Sequence, residues 1–144
     1  MKEALLMSAC LMGMRCRYDG GCKVLPELPQ LMERYHVIPV CGEMMGGMST
    51  PRIPSERVGD KVLNRAGEDV TAAFHRGAEE ILRLADLYGA TKALLKERSP
   101  SCGSGRIYDG SFSGSLTDGW GVTAELLRDR GIIIFGESRS KELL

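Results

Sequence analysis

Near its C-terminal end the chain reads Gly131-Ile132-Ile133-Ile134-Phe135-Gly136, a run of β-branched and aromatic side chains between glycines. Such a run is typical of a strand that is covered on both faces, as the strands of parallel sheets are. Other short apolar runs predict further buried strands of the same kind; they are Ala4–Ala9, Val37–Cys41 and Lys92–Lys96. The sequence therefore predicts a sheet whose strands are buried.

Helical patterns lie between these predicted strands. Residues Thr71–Tyr88 are the strongest example, because apolar side chains recur there at helical spacing and Gly89 suits the end of a helix. Glu27–Tyr35 and Thr123–Arg130 predict further helices. Strands that alternate with helices form parallel βαβ units with right-handed crossovers. We therefore predict an α/β fold, a Rossmann-like, doubly wound and mostly parallel sheet of about four to five strands with flanking helices.

The remaining segments lack a strong periodic pattern. Gly42–Lys61 and Pro100–Gly121 show no clear period, and we predict them as long functional loops. Val62–Val70, with a turn at Ala66-Gly67, predicts a small hairpin. No shift of composition marks a boundary, so residues 1–144 are expected to form a single domain. A chain of this length buries roughly two-thirds of the surface that its unfolded form exposes, and it needs no disulfide to fold.

The charge and hydropathy of the chain exclude several classes of function. Its 19 basic residues balance 19 acidic ones, so no basic excess indicates a long nucleic-acid footprint. A local contact with a tRNA stays open, because a small basic patch needs no net charge. No run reaches the roughly 20 apolar residues of a membrane span, and Met1–Met7 is too short for a signal peptide. We therefore predict a cytoplasmic protein without a membrane segment.

The 5 cysteines carry most of the chemical information. An odd number of cysteines in a reducing compartment argues against a disulfide framework. Cys10 follows the first predicted strand, Cys41 ends the second, and Cys102 lies in the loop after the third. Ligands of an open parallel sheet bind just beyond the carboxyl ends of its strands. These thiols are therefore predicted to meet at one edge of the sheet.

Converging thiols fit several kinds of site. Soft thiolates select zinc, copper(I) or iron–sulfur clusters, and structural zinc usually takes close Cys-x2-Cys pairs, which this sequence lacks. Isolated ligands on separate loops favour a cluster, since a cluster is larger than a single ion. Zinc, a reactive thiol and buried structural cysteines stay open as alternatives. Three interpretations of Cys16 stay open: a fourth ligand, a thiol next to the site, or a small packed residue. Cys22 lies in a glycine-rich turn and is interpreted as having no role in the site.

Four blocks of the sequence form a recognisable series. They are Ser8–Gly13 with Cys16–Gly21, Val37–Glu43 with Gly46-Gly47 and Thr50–Arg52, Gly67–Thr71, and Ser99–Gly103 with Ile107–Gly110 and Gly121–Ala124. In this order they resemble the 2-thiouracil desulfurase family, formerly a domain of unknown function, over nearly the whole chain. The chain departs from the expected pattern at Gly42, where a proline is expected, and at Cys22, where a serine is expected.

This resemblance implies a 4Fe–4S cluster that is held by cysteines and keeps one iron open to a small thiopyrimidine substrate. It implies removal of sulfur from a thiolated uracil, which gives uracil and sulfide. By motif position the implied ligands are Cys10, Cys41 and Cys102, in agreement with the strand-end argument. Glu43 and Ser101 stand at polar positions that the family is thought to use near the substrate.

The chemistry that the resemblance implies needs no net change of redox state. A soft open iron polarises the C–S bond of a thiocarbonyl as a metal polarises a carbonyl, and water then adds to the carbon. Glu43, which closely follows Cys41, is the candidate general base for that water and the candidate acid for a ring nitrogen. Ser101, next to Cys102, is the candidate to hydrogen-bond the substrate or to relay a proton.

Other functions stay open from the sequence. The main alternative is a desulfurase for thiolated tRNA nucleosides, although the neutral charge of the chain weighs against it. A second alternative is a non-enzymatic iron–sulfur carrier or sensor, which needs four full ligands and therefore Cys16. A third is a structural zinc-binding protein, which metal analysis distinguishes from an iron protein.

Overall fold

The computed structural model describes residues 1–144 of the chain. Strands and helices alternate along most of its length. In chain order they are β1 (Glu3–Ser8), α1 (Leu28–Arg34), β2 (Tyr35–Val40), α2 (Gly42–Met45), β3 (Ser55–Val58), β4 (Lys61–Asn64), α3 (Thr71–Tyr88), β5 (Lys92–Leu95), β6 (Ser104–Tyr108), β7 (Leu116–Trp120), α4 (Val122–Asp129) and β8 (Ile133–Gly136). Short 3-10 helices follow β1 and β8.

A central sheet of 4 strands has the order β2-β1-β5-β8, and every neighbouring pair in it is parallel. Each of these strands corresponds to one of the predicted apolar runs, with bounds that differ by at most two residues. Residues of α3 and α4 contribute to the apolar cluster on one face of the sheet, and residues of α1 and of both 3-10 helices contribute to the cluster on the other. The predicted α/β fold with a doubly wound parallel sheet is confirmed.

The sheet separates two apolar clusters because side chains of a strand alternate between its faces. Along β1, Leu6 belongs to the cluster on the side of α3 and α4, whereas Leu5 and Met7 belong to the other. All of these side chains are fully buried. Burial of one such side chain contributes roughly 1.5–3 kcal/mol, so the two clusters hold the strands, and hence their carboxyl ends, in fixed positions.

Helix α3 forms where the sequence predicted it, at Thr71–Tyr88. Its buried face consists of Phe74, Gly77, Ala78, Ile81 and Ala85, which recur at helical spacing. The backbone N–H of Thr71 donates to Oδ1 of Asp69 at 2.9 Å, and this bond stabilises the start of the helix. Gly89 ends the helix in the left-handed conformation with φ of 65°, which glycine adopts without strain.

The segments predicted as long loops contain regular structure, so that prediction is wrong. Gly42–Lys61 holds α2 and β3, and Pro100–Gly121 holds the antiparallel pair β6–β7. One hairpin in this part of the chain joins β3 to β4. Val62–Val70 also turns back on itself, with an antiparallel bridge between Leu63 and Asp69 and a 2.9 Å hydrogen bond from the Val70 N–H to the Val62 carbonyl oxygen, in agreement with the predicted small hairpin. The strands of these ribbons are 4 or 5 residues long and carry many polar or glycine positions. They therefore lack the continuous apolar run of the central strands.

No helix has the length and apolar composition needed to cross a bilayer.

Candidate functional site

The carboxyl ends of the central strands bring cysteines to one edge of the sheet, as the sequence predicted. Cys10 lies in the 3-10 helix that follows β1, Cys41 comes directly after β2, and Cys102 lies in the turn between β5 and β6. Together with Cys16, these residues line a cavity of about 960 Å³. Cys22 is exposed and does not line this cavity.

The thiols at this edge are in contact with one another. Cys41 Sγ lies 3.8 Å from the carbonyl oxygen of Cys16, and the thiols of Cys10 and Cys41 are close enough to Cys16 to shift its pKa. Cys10, Cys16 and Cys102 are buried, whereas Cys41 is partly exposed. No three cysteine, histidine or acidic side chains are arranged to hold a single metal ion. All of these thiols line one cavity, and this donor set fits a larger thiolate-bound group such as an iron–sulfur cluster.

The surroundings of these thiols favour their protonated forms. Burial raises the pKa of the Cys102 thiol to about 12, although hydrogen bonds with the hydroxyls of Ser8 and Ser101 oppose that change. The hydrogen bond with Cys16, together with burial, raises the pKa of Cys41. The hydrogen bond with Cys10 is the largest cause of the raised pKa of Cys16. Because thiolates are the metal-binding form, binding of iron at this edge must displace protons.

A buried ion pair stands beside the thiols. Glu43 is in the first turn of α2, immediately after Cys41, and its carboxylate Oε1 accepts a hydrogen bond from Arg52 Nε at 2.9 Å. The side chains of Arg52 and Glu43 are only 5% and 15% exposed. Arg52 Nη2 also donates to the carbonyl oxygen of Cys16 at 2.8 Å. The predicted residue Glu43 is therefore at the cavity, but sequence reasoning did not find that Arg52 holds it.

Ser101 lies behind Cys102. Its Oγ is 2.9 Å from Thr123 Oγ1 and 3.8 Å from Cys102 Sγ, and Ser101 is only 2% exposed. The contact with Thr123 was not foreseen from the sequence, although Thr123 belongs to one of the blocks that carry the family resemblance. Ser101 lines the cavity, and the polar contacts of its side chain are with a hydroxyl and a thiol of the protein.

Gly42, which stands where the family pattern predicts a proline, is buried and tightly packed. A Cβ at Gly42 would overlap Ser101 Oγ and would lie 2.8 Å from Thr123 Oγ1. On the other side, a Cβ at Gly77 would overlap the carbonyl oxygen of Gly42. Helix α2 therefore rests directly against α3 at this point, and this contact fixes both Cys41 and Glu43.

The mouth of the cavity carries basic side chains that form no ion pair. They are Arg17, Lys23, Arg65, Arg98 and Lys141. By contrast, the nearby Lys96 is 2.8 Å from Glu137 Oε1. The mouth therefore has positive charge available for an anionic group, although the whole chain is neutral.

Comparison with known proteins agrees with this geometry. A family model described as 2-thiouracil desulfurase matches residues 5–139. The uncharacterised protein YbbK of Bacillus subtilis (strain 168) is 39% identical over 150 residues, which cover 97% of this chain and 99% of YbbK. The solved structure of a 4Fe–4S-dependent thiouracil desulfidase, TudS, is 49% identical and superposes with a TM-score of 0.94, covering 99% of this chain and 95% of that one.

Proposed function

Because this chain belongs to the 2-thiouracil desulfurase family, we propose that it is a 4Fe–4S-dependent enzyme that removes sulfur from a thiolated uracil. The substrate is a small thiopyrimidine, and the products are uracil and sulfide. One observation carries this proposal: thiols that follow three separate strands line the same cavity. All of the cysteines of the chain are free thiols, without disulfide bonds. Free thiols suit a reducing compartment, so we place the enzyme in the cytoplasm.

Cys10, Cys41 and Cys102 are the cysteines that we assign as cluster ligands. They come from the ends of β1, β2 and β5, which the buried core holds in fixed positions. Cys16 is the remaining thiol of the cavity, and its pKa is influenced by two of them, Cys10 and Cys41. When bound, the cluster supplies a soft Lewis-acidic iron that polarises the C–S bond of the substrate.

In this proposal, side chains of the cavity activate the attacking water and transfer protons. The Glu43 carboxylate takes a proton from the attacking water and returns one to a ring nitrogen of the substrate. Ser101, hydrogen-bonded to Thr123, stabilises the sulfur of Cys102 and offers a path for a proton. Overall, the C=S bond and one water give a C=O bond and hydrogen sulfide, so atoms balance and no electron carrier is needed.

A thiolated nucleoside within a tRNA is a second candidate substrate. The unpaired basic side chains at the cavity mouth favour it, because the free base has no phosphate for them to bind. Arg17, Arg65 and Arg98 are the three arginines of this group, and arginine matches phosphate geometry well. A substrate with phosphates would depend on them strongly, whereas thiouracil would not.

Anaerobic purification followed by iron and sulfide analysis tests the proposal. We expect about four irons and four sulfides per chain, visible thiolate-to-iron absorbance, and release of sulfide from 2-thiouracil. Zinc in place of iron would indicate a structural zinc-binding protein. A full cluster that requires Cys16 and releases no sulfide would indicate a carrier or sensor. A parallel assay with thiolated tRNA, at low and high salt, separates the two substrates.

A further inference from the structure

We infer that Arg52 is a positioning residue for the reaction, which holds one oxygen of the Glu43 carboxylate so that the other remains free in the cavity. This inference rests on the proposed function, in which Glu43 handles protons. Only Oε1 of Glu43 has a hydrogen-bond partner in the protein. Oε2 has none, and it is not among the buried polar atoms that lack a partner, so it is accessible to solvent. Glu43 itself lines the cavity.

Arg52 is itself held from several sides. Nη1 donates to the carbonyl oxygen of Ser49 at 3.1 Å and to Thr50 Oγ1 at 2.9 Å, while Nη2 donates to the carbonyl oxygen of Cys16. The backbone N–H of Arg52 donates to the carbonyl oxygen of Tyr18 at 2.8 Å. The planar guanidinium therefore has little freedom to turn, and its Nε–H points at Glu43 in a fixed direction.

These bonds also indicate what Arg52 does not do. Four of its five N–H groups are engaged with the protein, and its side chain is 5% exposed. Arg52 therefore has little capacity left to bind a substrate directly. Its effect on the reaction should pass through Glu43 and should appear in kcat, with little change in KM.

A second arginine–glutamate pair in the same protein gives the comparison that supports this reading. Arg57 uses Nη1 and Nη2 on both oxygens of Glu125, at 3.1 and 3.3 Å, and also donates to the carbonyl oxygens of Gly59 and Trp120. That pair lies outside the cysteine-lined cavity. The pair outside the cavity occupies both carboxylate oxygens, whereas the pair at the cavity leaves one unoccupied.

The test replaces Arg52 by glutamine and by lysine and measures kcat, KM, cluster content and structure. We expect R52Q to lower kcat about 100-fold, the scale of a loss of alignment, and to change KM by less than about threefold. R52K keeps the charge but not the planar fork, so its kcat should lie between those of R52Q and the wild type. Iron and sulfide content should stay at the wild-type level in R52K. A crystal structure of R52Q should show a displaced Glu43 carboxylate.

R57Q is the matched control, because it breaks a comparable half-buried pair away from the thiols. It should leave kcat unchanged. Three results would each overturn the inference. They are an equal loss of kcat in R52Q and R57Q, a loss of kcat in R52Q that is explained by lost cluster alone, and a Glu43 carboxylate that has not moved in the R52Q crystal. A wild-type enzyme that releases no sulfide from either substrate would instead refute the proposed function, and the crystal structure would still decide whether Arg52 holds Glu43.

Discussion

The polar groups at the two ends of the central sheet differ in whether they have partners within the protein. At the amino end of the strands, Tyr35 Oη donates to the carbonyl oxygen of Leu143 at 2.6 Å, and Lys92 Nζ lies 3.4 Å from Glu3 Oε1. At the carboxyl end, the same strands lead to thiols around a cavity and to a carboxylate with one unpaired oxygen. Groups at the first end are satisfied within the chain, whereas those at the second can accept a partner from outside.

This difference assigns stability to one end and chemistry to the other. Buried polar groups that pair with each other lower the free energy of the folded state, or at least avoid the penalty of being left unpaired. Buried thiols and carboxylates that surround a cavity contribute little until a ligand binds to them. Substitutions at the two ends should therefore change different measurements, and the following experiments test this division.

The largest expected effect is the loss of cluster and activity when a ligand thiol is removed. Replacing Cys10, Cys41 or Cys102 by alanine should abolish sulfide release and reduce iron content to background. The free energy of unfolding of the metal-free protein should change by only about 1–2 kcal/mol. Iron analysis and urea denaturation measure the two quantities. Cys22→Ala is the control. If any of the three ligand variants keeps the wild-type iron content, the cysteine that it lacks is not a cluster ligand.

Removal of the Glu43 carboxylate should come next in size. Glu43→Ala should lower kcat by about 10²–10⁴-fold, the usual contribution of a general base. The visible spectrum and iron content should be retained, since the carboxylate is not assigned as a ligand. Glu125→Ala, at the comparison pair, should keep full activity. Full turnover of 2-thiouracil by the Glu43 variant would exclude Glu43 from the reaction.

The raised thiol pKa values predict how the metal-free protein responds to alkaline pH. The pKa of Cys102 rises from 9.0 to about 12 on folding, so the folded state keeps a proton that the unfolded state loses as pH rises above 9. The free energy of unfolding should therefore fall above that pH, by about 1.4 kcal/mol per pH unit for each such thiol. The stability that the bound proton provides is fully present at neutral pH.

Denaturation of metal-free protein between pH 8 and pH 11 measures this slope. Cys102→Ala should reduce the slope, because the alanine variant has one fewer proton to lose. The loaded enzyme should lack that part of the slope which comes from its ligand thiols, since metal-bound sulfurs are already deprotonated. An equal slope in wild type and Cys102→Ala would contradict the prediction.

The smallest expected effect concerns the amino end of the sheet. Tyr35→Phe leaves the carbonyl oxygen of Leu143 without its buried partner, and should lower the free energy of unfolding by about 1–3 kcal/mol. Iron content and kcat should not change at temperatures where the variant is folded. Calorimetry and the sulfide-release assay measure both. A selective loss of activity in this variant would show that the two ends of the sheet are not separable.

The sequence predicted those parts of the molecule that rest on repeated patterns. Helix α3 was predicted at its observed bounds because its apolar period extends over 18 residues. The edge position of the thiols followed because parallel strands end on the same side of their sheet. The ribbon β6–β7 was missed because Ser104–Tyr108 and Leu116–Trp120 are short and bury only one residue fully, so no alternation of hydropathy marks them.

Side-chain contacts between distant segments were beyond the reach of pattern analysis. Arg52 joins Glu43 to the carbonyl oxygen of Cys16, across sequence separations of 9 and 36 residues. No periodicity relates these positions, and their proximity depends on the path of the whole backbone. The hydroxyl pair of Ser101 and Thr123 is a similar case, because it forms only where α4 begins beside the Cys102 turn.

The contact of Gly42 with Gly77 has a practical consequence for redesign. Neither residue has room for even one additional carbon atom, so the cavity cannot be widened from the α3 side without moving Cys41. Directed evolution toward bulkier thiolated heterocycles should leave those two positions fixed. Libraries are better placed at Arg17, Tyr18 and Phe112, which line the cavity and lie outside the strands of the central sheet.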